Sequence, residues 1–236
     1  MDRYSRSNSS IIEYVNGGVR VYMAHVYGWM TCGLLLTAFV SWYTTKNPTI
    51  FNFIFSNPII FFSLIIMEVS LVLVLSSIID RLSAALATSL FMLYSALTGL
   101  TLSSIFITQA YSSIASAFIT NAGMFGAMSF YGYTTRRNLS SLSNILLMAI
   151  IGIVIASLVN IWLKSSAIMW LITYIGVAVF VVITAYDTNK LKSIGDQLSS
   201  NDNDSLRKHV IIGALTLYLD FINLFLMLLR IFSNRR

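Results

Sequence analysis

Charge is what this sequence has least of. Only 10% of its 236 residues are Asp, Glu, Lys or Arg, whereas 57% are hydrophobic and the mean hydropathy is +0.78. An ordinary soluble domain carries about 25% charged residues, so the soluble balance is excluded and the chain belongs in a bilayer. Proline is almost absent, with 2 residues, and glycine is sparse at 12, too few of either for a fibrous or disordered protein. With one cysteine, Cys32, no disulfide can form within the chain, and its place in an apolar block predicts a small buried hydrophobe. One Cys and 2 His also leave no cluster of the kind that holds zinc. The net charge of +6 comes from basic residues scattered among apolar segments without a stripe, which argues against a nucleic-acid partner.

What is there instead is a series of long apolar blocks. They do not alternate as barrel strands do, so an all-α polytopic membrane bundle is predicted. A crossing needs about 20 mostly apolar residues. The blocks lie at 24–44, 59–79, 82–107, 110–133, 141–163, 167–186 and 210–229. Residues 82–133 hold no charge at all, too long for one crossing and right for two joined by a turn near "ITQAYSS". Seven transmembrane helices are therefore expected. The domain plan that follows is a cytoplasmic tail over 1–23, a single seven-helix domain over 24–230, and a short basic tail over 231–236. The start, "MDRYSRSNSSIIEYVNGGVRVYMAHV", lacks the short apolar core and cleavage site of a secretory signal and reads as a retained tail.

Loop charge sets the orientation. With the N-terminus in the cytoplasm, that side holds Arg3, Arg6, Arg20, Arg81, Arg136, Arg137, Lys190, Lys192, Arg207 and Lys208, and the opposite loops hold only Lys46 and Lys164. A seventh crossing puts Arg230, Arg235 and Arg236 on the far side, against this rule. Either the last block is a span held there by packing, which 20 residues allow, or it is a re-entrant hairpin. Trp29, Trp42, Trp162 and Trp170 fall near span ends, as interfacial belts require. His25 and His209 read as polar anchors at the same level. In "NAGMFGAMSFYGY" the small residues Gly123, Gly126 and Ala127 predict close helix packing.

Three acids fall within or at the edge of these spans: Glu68 in "LIIMEVSLVLV", Asp187 in "VVITAYDTNKLK" and Asp220 in "LTLYLDFINLFLMLLR". A carboxylate at mid-bilayer costs several kcal/mol, so it turns toward a bundle interior, a cavity or a partner, and each acid is a candidate site. On a helical wheel Gly213, Thr216, Asp220 and Asn223 fall within an arc of roughly 80°, with Arg230 beside it. One polar stripe on an otherwise apolar helix predicts a central position for that helix. Asp187 ends the preceding span. If Asp187 and Asp220 meet, two carboxylates in a poorly solvated site cannot both ionise cheaply and must share a proton, which makes a pH-operated latch. Deprotonated, the same oxygens suit a hard cation such as Ca²⁺, so Asp187 and Asp220 are also the candidate metal ligands. Tyr186, Tyr218 and Asn223 are possible hydrogen-bond donors to the acids.

"TAYDTNKLK" and "ALTLYLDFINLFLMLLRIF" resemble the signature of the Bax inhibitor-1 family, and "MAHVYGWMTCGLLLTAF", "FMLYSALTGLTLSSIF" and "GMFGAMSFYGYTT" extend the likeness over nearly the whole chain. The chain looks like a proteobacterial inner-membrane member. The resemblance implies a seven-helix fold with the last helix wrapped by six others, a cytoplasmic N-terminus, and an aspartate pair forming a pH-sensing latch over a Ca²⁺ leak path. Carried onto this sequence, the latch acids are Asp187 and Asp220, and the second-helix acid is Glu68, in the pore lining. Thr216 and Asn223 are candidate cation-interacting groups beside them. The family's basic latch partner falls nearest Arg81, about two positions off and next to Asp80. The loop "SIGDQLSSNDNDSLRKH" is longer than in channel-like members.

Two other readings compete. Intramembrane aspartyl proteases also carry Tyr-Asp on one helix and Asp on the next, but they need Gly-x-Gly before the second Asp, and Leu217, Tyr218 and Leu219 stand there. No enzymatic activity and no cofactor are therefore expected, with Ca²⁺ as a permeant or bound ion. The other reading is a regulator of membrane proteins such as a quality-control protease, with any leak incidental.

Overall fold

The computed structural model describes residues 2–197 and 203–233, with side chains described at 18–79, 81–197 and 206–233. Met1, residues 198–202 of the long loop and residues 234–236 of the basic tail lie outside the described residues, as do the side chains of Arg3, Arg6 and Asp80.

Among the described residues every regular element is helical: α1 (Asp2–Lys46), α2 (Pro48–Phe55), α3 (Pro58–Ile78), α4 (Ala84–Thr108), α5 (Tyr111–Thr134), α6 (Ser143–Leu163), α7 (Ser166–Gln197) and α8 (Asn203–Ser233). The chain's only two prolines both sit at the first turn of a helix, α2 and α3, where no N–H is needed. Asn57 caps α3 by accepting a hydrogen bond from the Ile59 amide at 3.0 Å. At the far end of α6, Lys164 adopts the left-handed conformation (φ 50°) that closes a helix C-terminus, and its N–H bonds the Asn160 carbonyl.

Most helix boundaries follow the hydropathy blocks within a few residues, but α7 runs on to Gln197, well past the block at 167–186, and α8 starts at Asn203, two turns before the block at 210–229. The helix of the first block begins at Asp2, so the segment read as a tail is helical in backbone, and α2 is a short helix that no block foretold. Among the described residues six helices are long and apolar enough to cross a membrane: Gly18–Lys46 within α1, α3, α4, Leu139–Leu163, α7 and Leu206–Ser233 within α8. Helix α5 has the length, at 24 residues, but not the hydropathy. The last block forms one unbroken helix through Ser233, which leaves no room for a re-entrant hairpin.

Two compact units make up the chain. One comprises Met1–Thr108 with Leu191–Tyr218, the other Gln109–Lys190 with Leu219–Arg236. In the first, α1 and α4 pack backbone to backbone. A Cβ on Gly99 would lie 2.7 Å from the Thr37 carbonyl oxygen, and one on Gly33 would lie 2.6 Å from the Phe91 ring, so both positions require glycine. In the second, α5 meets α7 at Gly132, whose missing side chain admits the Ala185 backbone. The sequence pointed to Gly123 and Gly126 for such packing, but both face open space. Small residues in a membrane helix face lipid as readily as protein, and only the tertiary partner decides which.

The same physics corrects the reading of Cys32, which is exposed. In lipid an apolar side chain gains nothing by turning inward. Burial is accordingly uneven: 61% of the most apolar stretch of α8 is buried, against 6% for those of α3 and α6.

Candidate functional site

Asp187 and Asp220 lie in the same unit, on α7 and α8, with their carboxyl groups close enough for each to act on the other. Asp220 is buried at 5% exposure, and its Oδ2 has no partner among the described residues. Asp187 is half-buried. A bond between two carboxyl groups requires a proton on one of them.

The walls of this site come from α5. Asn121, fully buried, donates from Nδ2 to the Phe221 carbonyl at 3.1 Å, next to Asp220 in sequence. The Phe221 ring meets Phe118 and Phe125 edge-on at 5.7 and 5.4 Å. Around Asp187, the Ser129 and Thr188 hydroxyls are 3.2 Å apart and Asn189 Nδ2 donates to the Gly132 carbonyl at 3.1 Å. Helix α5 therefore holds α7 and α8 by polar bonds on either side of the acids, with aromatic packing against Phe221. Beyond them, Arg230 Nη1 donates to Thr173 Oγ1 at 3.4 Å, which gives this basic residue a packing partner at the end of α8.

Glu68 belongs to the other unit. It accepts a hydrogen bond from Thr101 Oγ1 at 3.0 Å, across from α3 to α4. From there a polar cluster runs inward. Thr98 lies within hydrogen-bonding reach of the Tyr94 and Tyr218 side chains, and the Tyr218 hydroxyl is 2.7 Å from Thr37 Oγ1, which also donates to the Ser95 carbonyl at 2.8 Å. Tyr218 is fully buried, edge-on against Phe91 and Tyr94. Its hydroxyl thus serves Thr37 and Thr98, and the expectation of a donor to the acids is corrected for this residue.

The remaining candidates fare differently. Thr216 and Asn223 lie on the stripe, but each side chain donates back to its own helix, to the Ile212 and Leu219 carbonyls at 3.0 and 2.9 Å. Neither donor is turned to the aspartates. Arg81 is exposed in a 3-10 turn, Ile79–Arg81, without an ion-pair partner among the described residues. Lys190, one turn along α7, is a cation that acts on Asp187. Sequence reasoning used Lys190 only as a topology marker, although its i+3 spacing on a helix was a usable signal. Asn121 was missed; it is an amide in the charge-free stretch, a signal of the same kind as the acids. Among the described residues no three Asp, Glu, His or Cys side chains gather as a metal-holding group, so the two aspartates offer a sparse set of carboxylate oxygens for a cation.

An all-helical membrane protein with acidic residues within its apolar helices is the class that fold and site define. The chain belongs to the Bax inhibitor-1 family: the family profile described as "Inhibitor of apoptosis-promoting Bax1" matches residues 19–236. It is 62% identical over 236 residues, all of both chains, to "Inner membrane protein YbhL" of Escherichia coli (strain K12). A protein of Borreliella burgdorferi is 43% identical over 215 residues, covering 91% of this chain and 92% of the other. An "Uncharacterized membrane protein" of Streptococcus pyogenes serotype M1 is 36% identical over 220 residues, covering 92% and 94%.

Proposed function

We propose that the protein is a pH-sensitive cation leak channel of the inner membrane, with Ca²⁺ as the preferred ion, gated by Asp187 and Asp220, and without enzymatic activity. The observation that supports this reading is the closeness of the two carboxyl groups, with Asp220 buried. While the pair holds a proton, it fastens α7 to α8. Once that proton leaves, two like charges stand in contact and the fastening becomes repulsion. Leak therefore rises with pH. Glu68, held by Thr101, is the acid that would meet the permeant cation.

Seven crossings are part of the proposal, with α5 as the seventh. Its 24 residues give about 36 Å of helix, enough for a core of about 30 Å. Its low hydropathy is offset because Asn121 and Ser129 bond to α8 and α7. Chain parity supports the same count. One cavity is lined by His25, Thr88 and Arg207, near the starts of the spans in α1, α4 and α8. Those three starts share a membrane face only if an even number of crossings separates each from the next, and between α4 and α8 this requires α5 to cross. The positive-inside bias puts that face, and the N-terminus, in the cytoplasm. The heavy burial of α8 supports a central place for it.

The test is Ca²⁺ flux into proteoliposomes loaded with a Ca²⁺ indicator. Expected are a flux that rises with pH in the wild type and a flat profile in Asp187→Asn and Asp220→Asn. A protein that passes no Ca²⁺ at any pH ends the channel reading, and unchanged profiles in both variants end the latch.

A further inference from the structure

The cavity beside His25, Thr88 and Arg207 has a chemistry of its own. It measures about 180 Å³ and lies within the first unit, bounded by Tyr22, His25 and Trp29 of α1, Thr88 of α4, and Arg207 and Val210 of α8. Tyr22, Thr88, Arg207 and Val210 lie within about one turn of the span starts at Gly18, Ala84 and Leu206, which is headgroup depth, and His25 and Trp29 follow about two and three turns along α1. Arg207 is exposed and brings a planar fork of donors suited to phosphate oxygens. His25 donates from Nδ1 to its own helix, at the Val21 carbonyl, 2.7 Å away, which leaves Nε2 to face a ligand. Tyr22 closes the floor: it is 2% exposed, and its hydroxyl donates to the His209 carbonyl at 3.3 Å. Trp29 supplies the amphipathic ring common at this depth.

The cavity also has a tail. A second, open groove of about 360 Å³ shares His25 and Trp29 and runs along α1 over Ala24, Gly28 and Cys32. Its lining is apolar apart from His25, and nothing stands within 4 Å of where a Gly28 Cβ would be. A cationic hollow at headgroup depth that continues into an apolar trough matches one kind of molecule in both halves. Arg20 and Lys208 flank it in sequence and raise the local positive charge.

We infer that this compound site binds a phospholipid with an anionic headgroup, its phosphate against Arg207 and His25 and one acyl chain along Ala24–Gly28–Cys32. A phosphodiester without its acyl chains shares the headgroup chemistry but leaves the trough empty, so the two sources can be told apart. The site lies in the unit that does not contain the aspartate pair, and the inference does not depend on any channel activity.

The test is native mass spectrometry of the full-length protein released from detergent micelles, after exchange with equal amounts of phosphatidylglycerol and phosphatidylethanolamine. The wild type should retain one phosphatidylglycerol in preference. Arg207→Gln should lower that retention about five- to tenfold, because each basic group near an anionic lipid contributes on this scale. Gly28→Leu, which has open space for its side chain, should lower it for both lipids by filling the trough, and helix content by circular dichroism shows that each variant folds. Equal retention of the two lipids by the wild type, or retention unchanged in both variants, overturns the inference. Loss of bound phosphatidylglycerol on adding millimolar inorganic phosphate overturns it in favour of a free phosphate site; indifference to phosphate supports the lipid.

Discussion

Two acids in apolar surroundings, Glu68 and Asp220, meet very different partners. Glu68 is half-buried and takes its hydrogen bond from the Thr101 hydroxyl, a donor whether the carboxyl group is charged or neutral. Asp220 is buried, and its partner is another carboxyl group, Asp187, which can serve only while a proton is shared. The first arrangement tolerates either protonation state, whereas the second, under the proposed latch, holds in one state and is undone in the other. A membrane acid is thus a switch or a fixed ligand according to what faces it, not according to its own chemistry or depth.

That contrast can be broken most severely at the pair itself. Asp220→Asn should abolish the pH dependence of Ca²⁺ flux, whereas Glu68→Gln should lower flux at every pH and leave the shape of the profile intact; pH-stepped proteoliposome assays separate the two. If Glu68→Gln flattens the profile as well, the two acids do not differ in the way described. Next in size is the support of the pair. Gly132→Val drives a side chain into the Ala185 backbone and should cost about 2–3 kcal/mol, while Gly126→Val, in open space, should leave the melting temperature in detergent nearly unchanged.

A smaller loss, about 1–3 kcal/mol, is expected from Thr37→Val, which deprives the buried Tyr218 hydroxyl of a partner. It should lower thermal stability without altering the midpoint of the pH profile. The smallest effect belongs to Thr101→Val: Glu68 loses one donor but stays half-exposed, so stability should fall by about 1 kcal/mol or less and the pH profile should not move. A shifted midpoint in that variant would join Glu68 to the switch.

Much of this was legible in the chain. Apolar blocks are local facts, and α3 to α6 begin and end close to where hydropathy changes because lipid solvates each helix independently of its neighbours, whereas α7 and α8 extend past their blocks at the ends that face each other in sequence. Asp187 and Asp220 stood out because a charge in lipid has to be explained, and the stripe on α8 gave the face. What stayed hidden depends on partners distant in sequence. Nothing local says that Gly132 rather than Gly126 is pressed against a backbone, or that the Tyr218 hydroxyl points to Thr37, 181 residues away. Lys190, which helical spacing puts one turn from Asp187, was read only for topology. Cys32 misled because composition rules for water reward burial that lipid does not.

Helix α5 carries a consequence for biosynthesis. Its side chains Ser113, Asn121 and Ser129 find partners at Phe232, Phe221 and Thr188, all made after it. While the ribosome is still producing α6, those groups have nowhere to go, and a segment of such modest apolarity has weak reason to leave the insertion machinery for oil. Stable integration of α5 should wait for the C-terminal helices to emerge, so a truncated nascent chain ending before α7 ought to hold α5 at the translocon or expose it to protease.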